Sequence, residues 1–469
     1  MKPLLPLISC IPLMCASSFR AVSLPGDSLH IPAQTCSDAI EHGLSFEERI
    51  PAPDSVVAPP IPTLSPVVQK KRLPRIYYKR KRIYPKHYLP EELPLQPLEG
   101  SYQDIARIGK IMRNAPRART RITFFGASHT EGEYWTGHIR RVFQSRYGDL
   151  GHGFVMPVSL FKGMRAADVN LCSSSGWDTA FVGRSLEGED NDYGLGMLAS
   201  SSDPMQFTWL ETTHSNPHGR SVSIYEILTL NQPGGGSMLV NIDNEAPVIL
   251  PTLSEKPELN RLRIDTFDGA HRLTLQPLGD GNVRLFGVSM EREGTGALVD
   301  AIGIRGRTAK TWHRWDAEIF SQSINVLDPN IIVLAYGTNE ASDVDYSAER
   351  YAKDLRKTLS ILKEARPDQA CILVGPSDRG ASIRKSKKKF RVWEHTSIIA
   401  DVQREVAPEF GCVFWDWQQA QGGAGAMIAW RYTSPPLTSQ DLLHHTAHGY
   451  SYMAEQFIRA LDDAEQHYQ

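Results

Sequence analysis

The sequence predicts an α/β fold, in which a three-layer parallel sheet flanked by helices carries an inserted all-β sandwich. Short continuous apolar runs alternate with helical stretches in the first and last parts of the chain, which is typical of a parallel sheet covered on both faces. Between them, short alternating runs separated by glycine- and proline-rich turns are typical of a β-sandwich. Polar clusters follow the apolar runs, and ligands bind such sheets beyond the carboxyl ends of the strands.

Composition and the N-terminus indicate an exported protein. The 469 residues carry a net charge of −2, which argues against a nucleic-acid-binding protein overall. No apolar run reaches the roughly 18 residues that a membrane span needs. Residues 1–22 resemble a signal peptide, with one lysine, a short apolar region and a cleavage site at 16–18. We therefore expect a periplasmic or extracellular protein with no transmembrane span after signal removal.

Residues 23–100 predict a disordered linker, because prolines are frequent and hydrophobic periodicity is absent. A basic run interleaved with tyrosines, KKRLPRIYYKRKRIYPKHY, lies within it at 70–88. Its ordinary interpretation is a solvated, extended linker. The alternative is a contact with an anionic polymer or a membrane surface.

The cysteines outside the signal show no metal-type spacing. Cys371 and Cys412 each open or interrupt an apolar strand-like run. Buried free thiols are therefore favoured over a disulfide, whose pairing the sequence leaves open.

The α/β domain is predicted to comprise 101–158 and 297–469. It opens with a helix at 101–112, a strand at 122–125 and a helix that begins at about 130. The remaining elements follow the insert: strands at 297–304, 330–335, 370–374 and 411–415, and helices at 351–362 and about 448–464.

The inserted sandwich is predicted at 159–296. Turn signals such as Pro-Gly-Gly-Gly, Asp-Gly and Gly-Asp-Gly separate its strands. Its alternating runs lie at 221–231, 238–242, 262–267, 271–276 and 283–290.

The stretch RITFFGASHTEGEYW, at 121–135, combines a strand, a tight turn and a helix start. Ser128 follows the strand end, where its hydroxyl is held out of the helix and its N–H points with the helix N-terminal donors. Those donors favour a developing negative charge. The ordinary interpretation is a small residue in a crowded turn, and the functional one is a nucleophile.

Other polar groups follow later strands of the predicted sheet. Gly306 and Asn339 offer a backbone N–H and a side-chain amide that could surround an oxyanion together with the Ser128 N–H. Asp441 and His444 lie in the loop before the last helix, and their spacing of three puts both side chains on one side of a turn. The carboxylate can then hold one imidazole nitrogen while the other faces the serine.

The blocks GASHT, IGIRGRT, YGTNEA and DLLHHTAHGY, in this order, resemble those of the SGNH (GDSL-type) hydrolases. The pairing of the first block with AYGTNEA, and the all-β insertion, are similar to the peptidoglycan O-acetylesterases, whose insert looks like a carbohydrate-binding module. The resemblance implies that Ser128 is the nucleophile and that His444 is the general base, oriented by Asp441. It also implies that Gly306 and Asn339 complete the oxyanion hole.

The resemblance covers about 102–461 and implies a serine esterase that removes O-acetyl groups from a cell-wall or extracellular polysaccharide. It implies no metal or organic cofactor, and its partner would be an acetylated polysaccharide or peptidoglycan. Two alternatives stay open: a polysaccharide O-acetyltransferase using the same triad, and a catalytically decayed glycan-binding protein.

Two features depart from the family pattern. Ala127 replaces the aspartate that usually precedes the serine, a loss that would lower activity without moving the nucleophile and that motivates the decayed alternative. His445 and His448 crowd His444. The D-x-x-H spacing from Asp441 favours His444 as the base, with His445 the runner-up.

Three further side chains are assigned to substrate binding: His129, Asp378 and Arg379. The ordinary interpretation of His129 is a packing residue at a helix start. Asp378 and Arg379 follow the third strand of the sheet after the serine strand, as an ion pair on the rim or as a clamp for substrate. A second basic run, RKSKKKFR at 384–391, is most simply a solvated helix face or loop, with a contact to an anionic glycan as the alternative.

Overall fold

The core of the molecule is a five-stranded parallel sheet, as the sequence predicts. In the computed structural model, the serine strand is the second of the five and both of its neighbours run parallel to it. The strand order across this central sheet is Gly296–Gly303, Arg119–Gly126, Ile331–Ala335, Ala370–Val374 and Cys412–Trp415. The structure describes residues 67–68, 75–83, 93–161, 164, 166–183, 192–213, 216–243, 245–383 and 389–468.

Helices cover both faces of the central sheet and complete the three layers. On one face Phe124 and Val333 pack against residues of the first and last long helices, and on the other Ile332 and Leu373 pack against three helices that follow the insert. The α-helices are Tyr102–Asn114, Ser128–Glu131, Tyr134–Tyr147, Ala317–Leu327, Ala348–Ala365, His395–Val406, Trp417–Ala420, Ala426–Trp430 and Ala447–His467. Short 3-10 helices are Ala309–Arg314, Glu340–Ser342 and Ala407–Phe410.

The insert consists of two antiparallel sheets that share one apolar core, so it is a β-sandwich. The five-stranded sheet has the order Val248–Pro251, Ser237–Ile242, Arg272–Pro277, Thr208–Thr212 and Val169–Ser173. The six-stranded sheet has the order Glu258–Gly269, Val222–Asn231, Val283–Glu291, Met197–Ser201 and Asp178–Phe181, and Gly153–Val155 pairs with its third strand.

The insert is seated against the α/β part of the chain. Leu228 and Phe286 of the six-stranded sheet belong to the same buried cluster as Phe125 and Trp312. The strand Gly153–Val155 lies before residue 159, the predicted start of the insert, and nevertheless pairs within the insert's sheet. The two parts therefore share a continuous core.

Part of the predicted linker is folded. Arg75–Tyr78 and Lys81–Ile83 form a hairpin, and Arg75–Tyr78 pairs in parallel with Lys389–Val392, which pairs with Gly380–Ser382. The expectation of disorder is wrong for this hairpin, because Ile76 is fully buried in an apolar cluster. We call these four strands the basic sheet. Val67–Val68 also pairs, with Thr433–Ser434, whereas residues 1–22 and most of 23–100 lie outside the described residues.

The expectation of free thiols at Cys371 and Cys412 is wrong. These residues are register partners on neighbouring strands, their Cα atoms lie 4.7 Å apart, and they form a disulfide. Cys172 is disulfide-bonded as well. Within the described part of the chain, no helix is long and apolar enough to cross a membrane.

Candidate active site

Ser128 lies just beyond the carboxyl end of the strand Arg119–Gly126. The strand ends at Gly126, where a side chain would come within 2.1 Å of the hydroxyl of Thr130. The close approach of the next helix therefore requires glycine at this position. Ala127 precedes the short helix Ser128–Glu131, so the Ser128 N–H is among the helix donors that have no partner inside the helix.

A hydrogen-bonded relay joins Ser128 to the loop before the last helix. Ser128 Oγ lies 2.9 Å from His444 Nε2, and His444 Nδ1 lies 2.6 Å from Asp441 Oδ2. Asp441 Oδ1 accepts the backbone N–H groups of Leu443 and His444, each at 3.0 Å, and the hydroxyl of Ser439 at 2.6 Å. Partial burial raises the pKa of Asp441, but the hydrogen bonds from His444, Ser439 and the backbone outweigh it, so the pKa is held well below its usual range. The carboxylate thus stays ionised beside the imidazole.

His445, the runner-up for the base, lies elsewhere. It is buried among Trp417, Trp430 and Tyr450, with its ring stacked on that of Trp417 at 5.8 Å. Burial lowers its pKa to about 3. His444, and not His445, is hydrogen-bonded to Ser128.

Gly306 and Asn339 lie on two loops that are tied to each other. Asn339 Nδ2 donates to the carbonyl oxygen of Arg307 at 2.8 Å. Gly306 has a φ of +75° and open space where a Cβ would be, so glycine is required here by the left-handed backbone rather than by crowding. These loops follow the two strands that flank the serine strand.

Two buried glutamates, which the sequence analysis did not single out, fix these loops. Glu131 Oε2 accepts the backbone N–H of Arg305 at 2.9 Å and also pairs with the guanidinium of Arg305. Glu340 accepts the N–H groups of Ala309 at 2.8 Å and Gly337 at 2.9 Å, one on each carboxylate oxygen. Burial raises the pKa of Glu340 to about 7. The available signal was their position, since Glu131 directly follows the GASHT block and Glu340 lies within the YGTNEA block.

The three residues assigned to substrate binding have different surroundings. His129 is buried, with Nδ1 2.7 Å from the Tyr450 hydroxyl and Nε2 3.2 Å from the Ser377 hydroxyl. Burial, and then the neighbouring His444 and His445, lower its pKa well below the ordinary value. The centroid of its ring lies 5.3 Å from that of His444, so His129 packs beside the imidazole that is hydrogen-bonded to Ser128.

Asp378 does not lie on the rim. Its side chain is fully buried, and its carboxylate accepts the N–H groups of Gly425 and Met427 and the amide of Gln418, each at 2.9 Å. Burial raises its pKa to about 6. It therefore organises the loop at 422–427 and has no ion pair with Arg379 among the described residues. This corrects the expected rim pair, because the loop's backbone donors occupy the carboxylate.

Arg379 is the one member of that expected pair that reaches the surface. Its guanidinium lies over the ring of Trp393, 4.6 Å from the ring centroid, and donates to the hydroxyl of Ser342. Burial lowers its pKa, while the nearby carboxylate of Asp441 raises it, and the net shift is downward. Arg379 thus stands between the relay and the basic sheet.

The chain is similar to known proteins in part of its sequence and in its fold. Residues 267–457 match the model of the GDSL-like lipase/acylhydrolase family, a stretch that begins after Ser128 and includes Asp441 and His444. A structure of a peptidoglycan O-acetylesterase aligns with a TM-score of 0.63 at 21% identity, over 78% of this chain and 98% of that chain. A family two carbohydrate esterase from Cellvibrio japonicus aligns at 13% identity over 63% of this chain and 98% of that chain, with a TM-score of only 0.24. No curated protein matches the sequence. At such identities the structural likeness establishes a common fold.

Proposed function

We propose that this chain is a carboxylic ester hydrolase of the SGNH/GDSL type that removes O-acetyl groups from a cell-wall or extracellular polysaccharide, with Ser128, His444 and Asp441 as its triad; the family match and the shared fold support this. The observation that carries the proposal is the relay of two hydrogen bonds, at 2.9 Å and 2.6 Å, from serine to imidazole to carboxylate. That is the arrangement by which a serine hydroxyl is made nucleophilic.

Each member of the triad has a defined task. The Nδ1–H of His444 donates to the ionised Asp441, which leaves Nε2 free to take the proton of Ser128 as its Oγ attacks the acetyl carbonyl. His444 then gives that proton to the sugar oxygen, which leaves as an alcohol. Water, deprotonated by His444 in turn, releases acetate and restores Ser128.

Three donors would stabilise the oxyanion: the N–H groups of Ser128 and Gly306 and the amide of Asn339. The amide nitrogen carries two hydrogens, and only one is needed for its bond to the Arg307 carbonyl. The other is free to point at the substrate. Removing one donor of this kind costs about 3 kcal/mol of transition-state stabilisation.

The replacement of aspartate by Ala127 is compatible with activity. Where a carboxylate at 127 would brace the turn, Glu131 binds the neighbouring loop through the backbone and side chain of Arg305. We therefore favour an active esterase over a decayed glycan-binding protein. The sandwich would hold the glycan, and we propose that the protein acts in the periplasm or outside the cell, where acetylated polysaccharide and peptidoglycan are its partners.

The deciding experiment compares acetate release from O-acetylated peptidoglycan and from acetylated xylan. The wild type should release acetate from at least one of them, and Ser128→Ala should abolish the release with an unchanged circular dichroism spectrum. Ser321→Ala, on the helix Ala317–Leu327, is the matched control and should retain activity. Turnover that survives Ser128→Ala removes Ser128 from its role, and product formation that depends on an added sugar acceptor would identify a transferase instead.

A further inference from the structure

The basic sheet presents a row of cations to solvent. Its exposed charged side chains are Arg75, Lys79, Arg80, Lys81, Arg82, Lys389 and Arg391. The inward-facing Ile76, Phe390 and Val392 are buried, so the alternation fixes which face is outside. Across the outer face, Tyr77 lies in register between Arg391 and Arg82.

Six of these seven cations have no ion-pair partner among the described residues; Arg82 is not one of the six. Among the described residues, none of Arg75, Lys389 and Arg391 forms an ion pair, and the same holds for Lys79, Arg80 and Lys81. The carboxylate of Glu394 accepts the backbone N–H of Lys79 at 2.7 Å. Several cations close together on one sheet face repel one another, so the face is complementary to an external anion.

The hairpin tip adds to this pattern. Lys79 and Arg80 both have positive φ, at 45° and 64°. Such two-residue turns ordinarily use Asn-Gly, because other side chains are strained in the left-handed region. Here the strained positions carry two cations instead.

The basic sheet is attached to the loop that carries Asp441 and His444 of the proposed active site. The N–H of Gly380, in the basic sheet, donates at 3.0 Å to the carbonyl of Leu442, the residue after Asp441. Leu442 packs in one apolar cluster with Ile76 and Phe390. The sheet is therefore built directly on the loop that carries the acid and base of the relay.

A half-buried tryptophan connects the two regions. Trp393 follows the strand Lys389–Val392, and the guanidinium carbons of Arg379 and Arg391 lie 4.6 Å and 5.2 Å from the centroid of its ring. Its indole N–H donates to the carbonyl of Ala341, beside the oxyanion loop. Aromatic rings beside guanidinium forks suit a sugar chain that carries carboxylates, since a sugar face can pack on the ring while the fork binds the acid.

We propose that the basic sheet is a binding surface for an acidic glycan, and that the substrate is an O-acetylated polysaccharide that itself carries negative groups. The inference rests on the proposed esterase function and deepens it by naming the substrate class. A membrane surface fits less well, because none of the exposed large hydrophobic side chains in the described part of the chain lies in this sheet.

The test uses the full chain and a charge-matched control. The triple variant Arg75→Gln, Lys389→Gln and Arg391→Gln leaves the buried face untouched. The control, Lys110→Gln, Lys256→Gln and Lys357→Gln, removes the same charge from exposed positions on other elements. The measurement is the ratio of kcat/KM for acetylated pectin, an acidic polymer, to that for acetylated glucomannan, a neutral one.

The ratio should fall about 10-fold in the triple variant and stay constant in the control, because local charge raises the concentration of an oppositely charged substrate. Added salt should lower the wild-type ratio in the same way, since the contacts are exposed and screened. A ratio that the triple variant leaves unchanged would overturn the inference.

A second variant separates binding from folding. Lys79→Asn with Arg80→Gly gives the tip a favourable turn sequence, so it should stabilise the hairpin while still lowering the ratio. If instead the ratio follows stability, the surface has no binding role.

Binding is also measured without catalysis, on a Ser128→Ala background with polygalacturonate as the probe. Binding of polygalacturonate that is lost in the triple variant would support the basic sheet as a glycan-binding surface. This holds even if no acetyl ester were hydrolysed, in which case only the esterase proposal fails. Binding to phosphatidylglycerol vesicles but not to polygalacturonate would refute the glycan assignment.

Discussion

Glu340 offers a quantitative test of how the oxyanion loops are held. Its two carboxylate oxygens accept the N–H groups of Ala309 and Gly337, so one side chain ties together the loops that carry the proposed oxyanion donors. Glu340→Gln keeps the volume but turns one acceptor into an amide N–H₂. One backbone N–H then faces a donor and is left unsatisfied, which contributes a pH-independent offset of about 1–3 kcal/mol, and the titration of Glu340 is superimposed on that offset.

The pH dependence is the sharper signature. Burial raises the pKa of Glu340 from 4.5 to about 7, so the folded state holds this proton more tightly than the unfolded chain. The stability that results is fully present below pH 4.5 and is lost as the pH rises through about 7. A shift of this size corresponds to about 3 kcal/mol. Glutamine does not titrate, so Glu340→Gln lacks this loss.

The assay is urea unfolding of the wild type and Glu340→Gln at several pH values across this window. The difference in unfolding free energy between the two should shrink by about 3 kcal/mol from the acidic to the neutral end, because all other titrating groups are common to both. Glu364→Gln, at an exposed position of the helix Ala348–Ala365, should instead run parallel to the wild type. Parallel curves for Glu340→Gln would show that this carboxyl does not titrate as a buried group, and would contradict its role in holding the two loops.

Three further predictions concern the site and the sheet that supports it. Asn339→Ala should lower kcat by about 10²- to 10³-fold with little change in KM, as loss of an oxyanion donor does; an unchanged kcat, from initial rates on an aryl acetate, would contradict the assignment. Asp441→Asn should lower kcat by roughly two to four orders of magnitude, because the imidazole loses its orienting acceptor, and an equal loss in Ser439→Ala would point to the loop rather than the carboxylate. Replacing Cys371 and Cys412 together by alanine should lower the unfolding free energy by about 4 kcal/mol for a cross-link spanning 41 residues; calorimetry of the two proteins measures this, and equal midpoints would contradict it.

Much of the fold could be predicted because its signals are local. A buried parallel strand is a continuous apolar run, and a residue after such a run lies at the edge where ligands bind. This reasoning, from the sequence alone, predicted that Ser128, Gly306 and Asn339 follow neighbouring strands at one edge of the sheet. Spacing alone put Asp441 and His444 on one side of a turn, where the observed hydrogen bond lies.

The misses share a physical origin, since each depends on which distant segments become neighbours. The hairpin at 75–83 pairs with a strand more than 300 residues away, and its lysines and arginines are typical of a solvated run until Ile76 is seen to be buried. The disulfide between Cys371 and Cys412 requires the order of strands in the sheet, which apolar runs do not encode. Asp378 was assigned to the rim because it follows a strand, but its acceptors are used by a loop nearly 50 residues later.

A buried ion cluster connects the insert to the α/β part and fixes the position of one relative to the other. Arg121, on the serine strand, binds Asp300 of the adjacent strand and Glu291 of the sandwich, each at 2.7 Å. Asp300 also accepts the N–H of Phe154 at 2.8 Å, from a second strand of the sandwich. Replacing these groups by apolar ones need not destabilise a protein. A shift in strand register, however, would leave a buried charge without its partner, at a cost of several kcal/mol. The cluster thus selects a single register between the insert and the serine strand. A glycan held by the sandwich would then lie at a fixed distance from Ser128. Substrate specificity would therefore depend on the rigid connection between the insert and the serine strand.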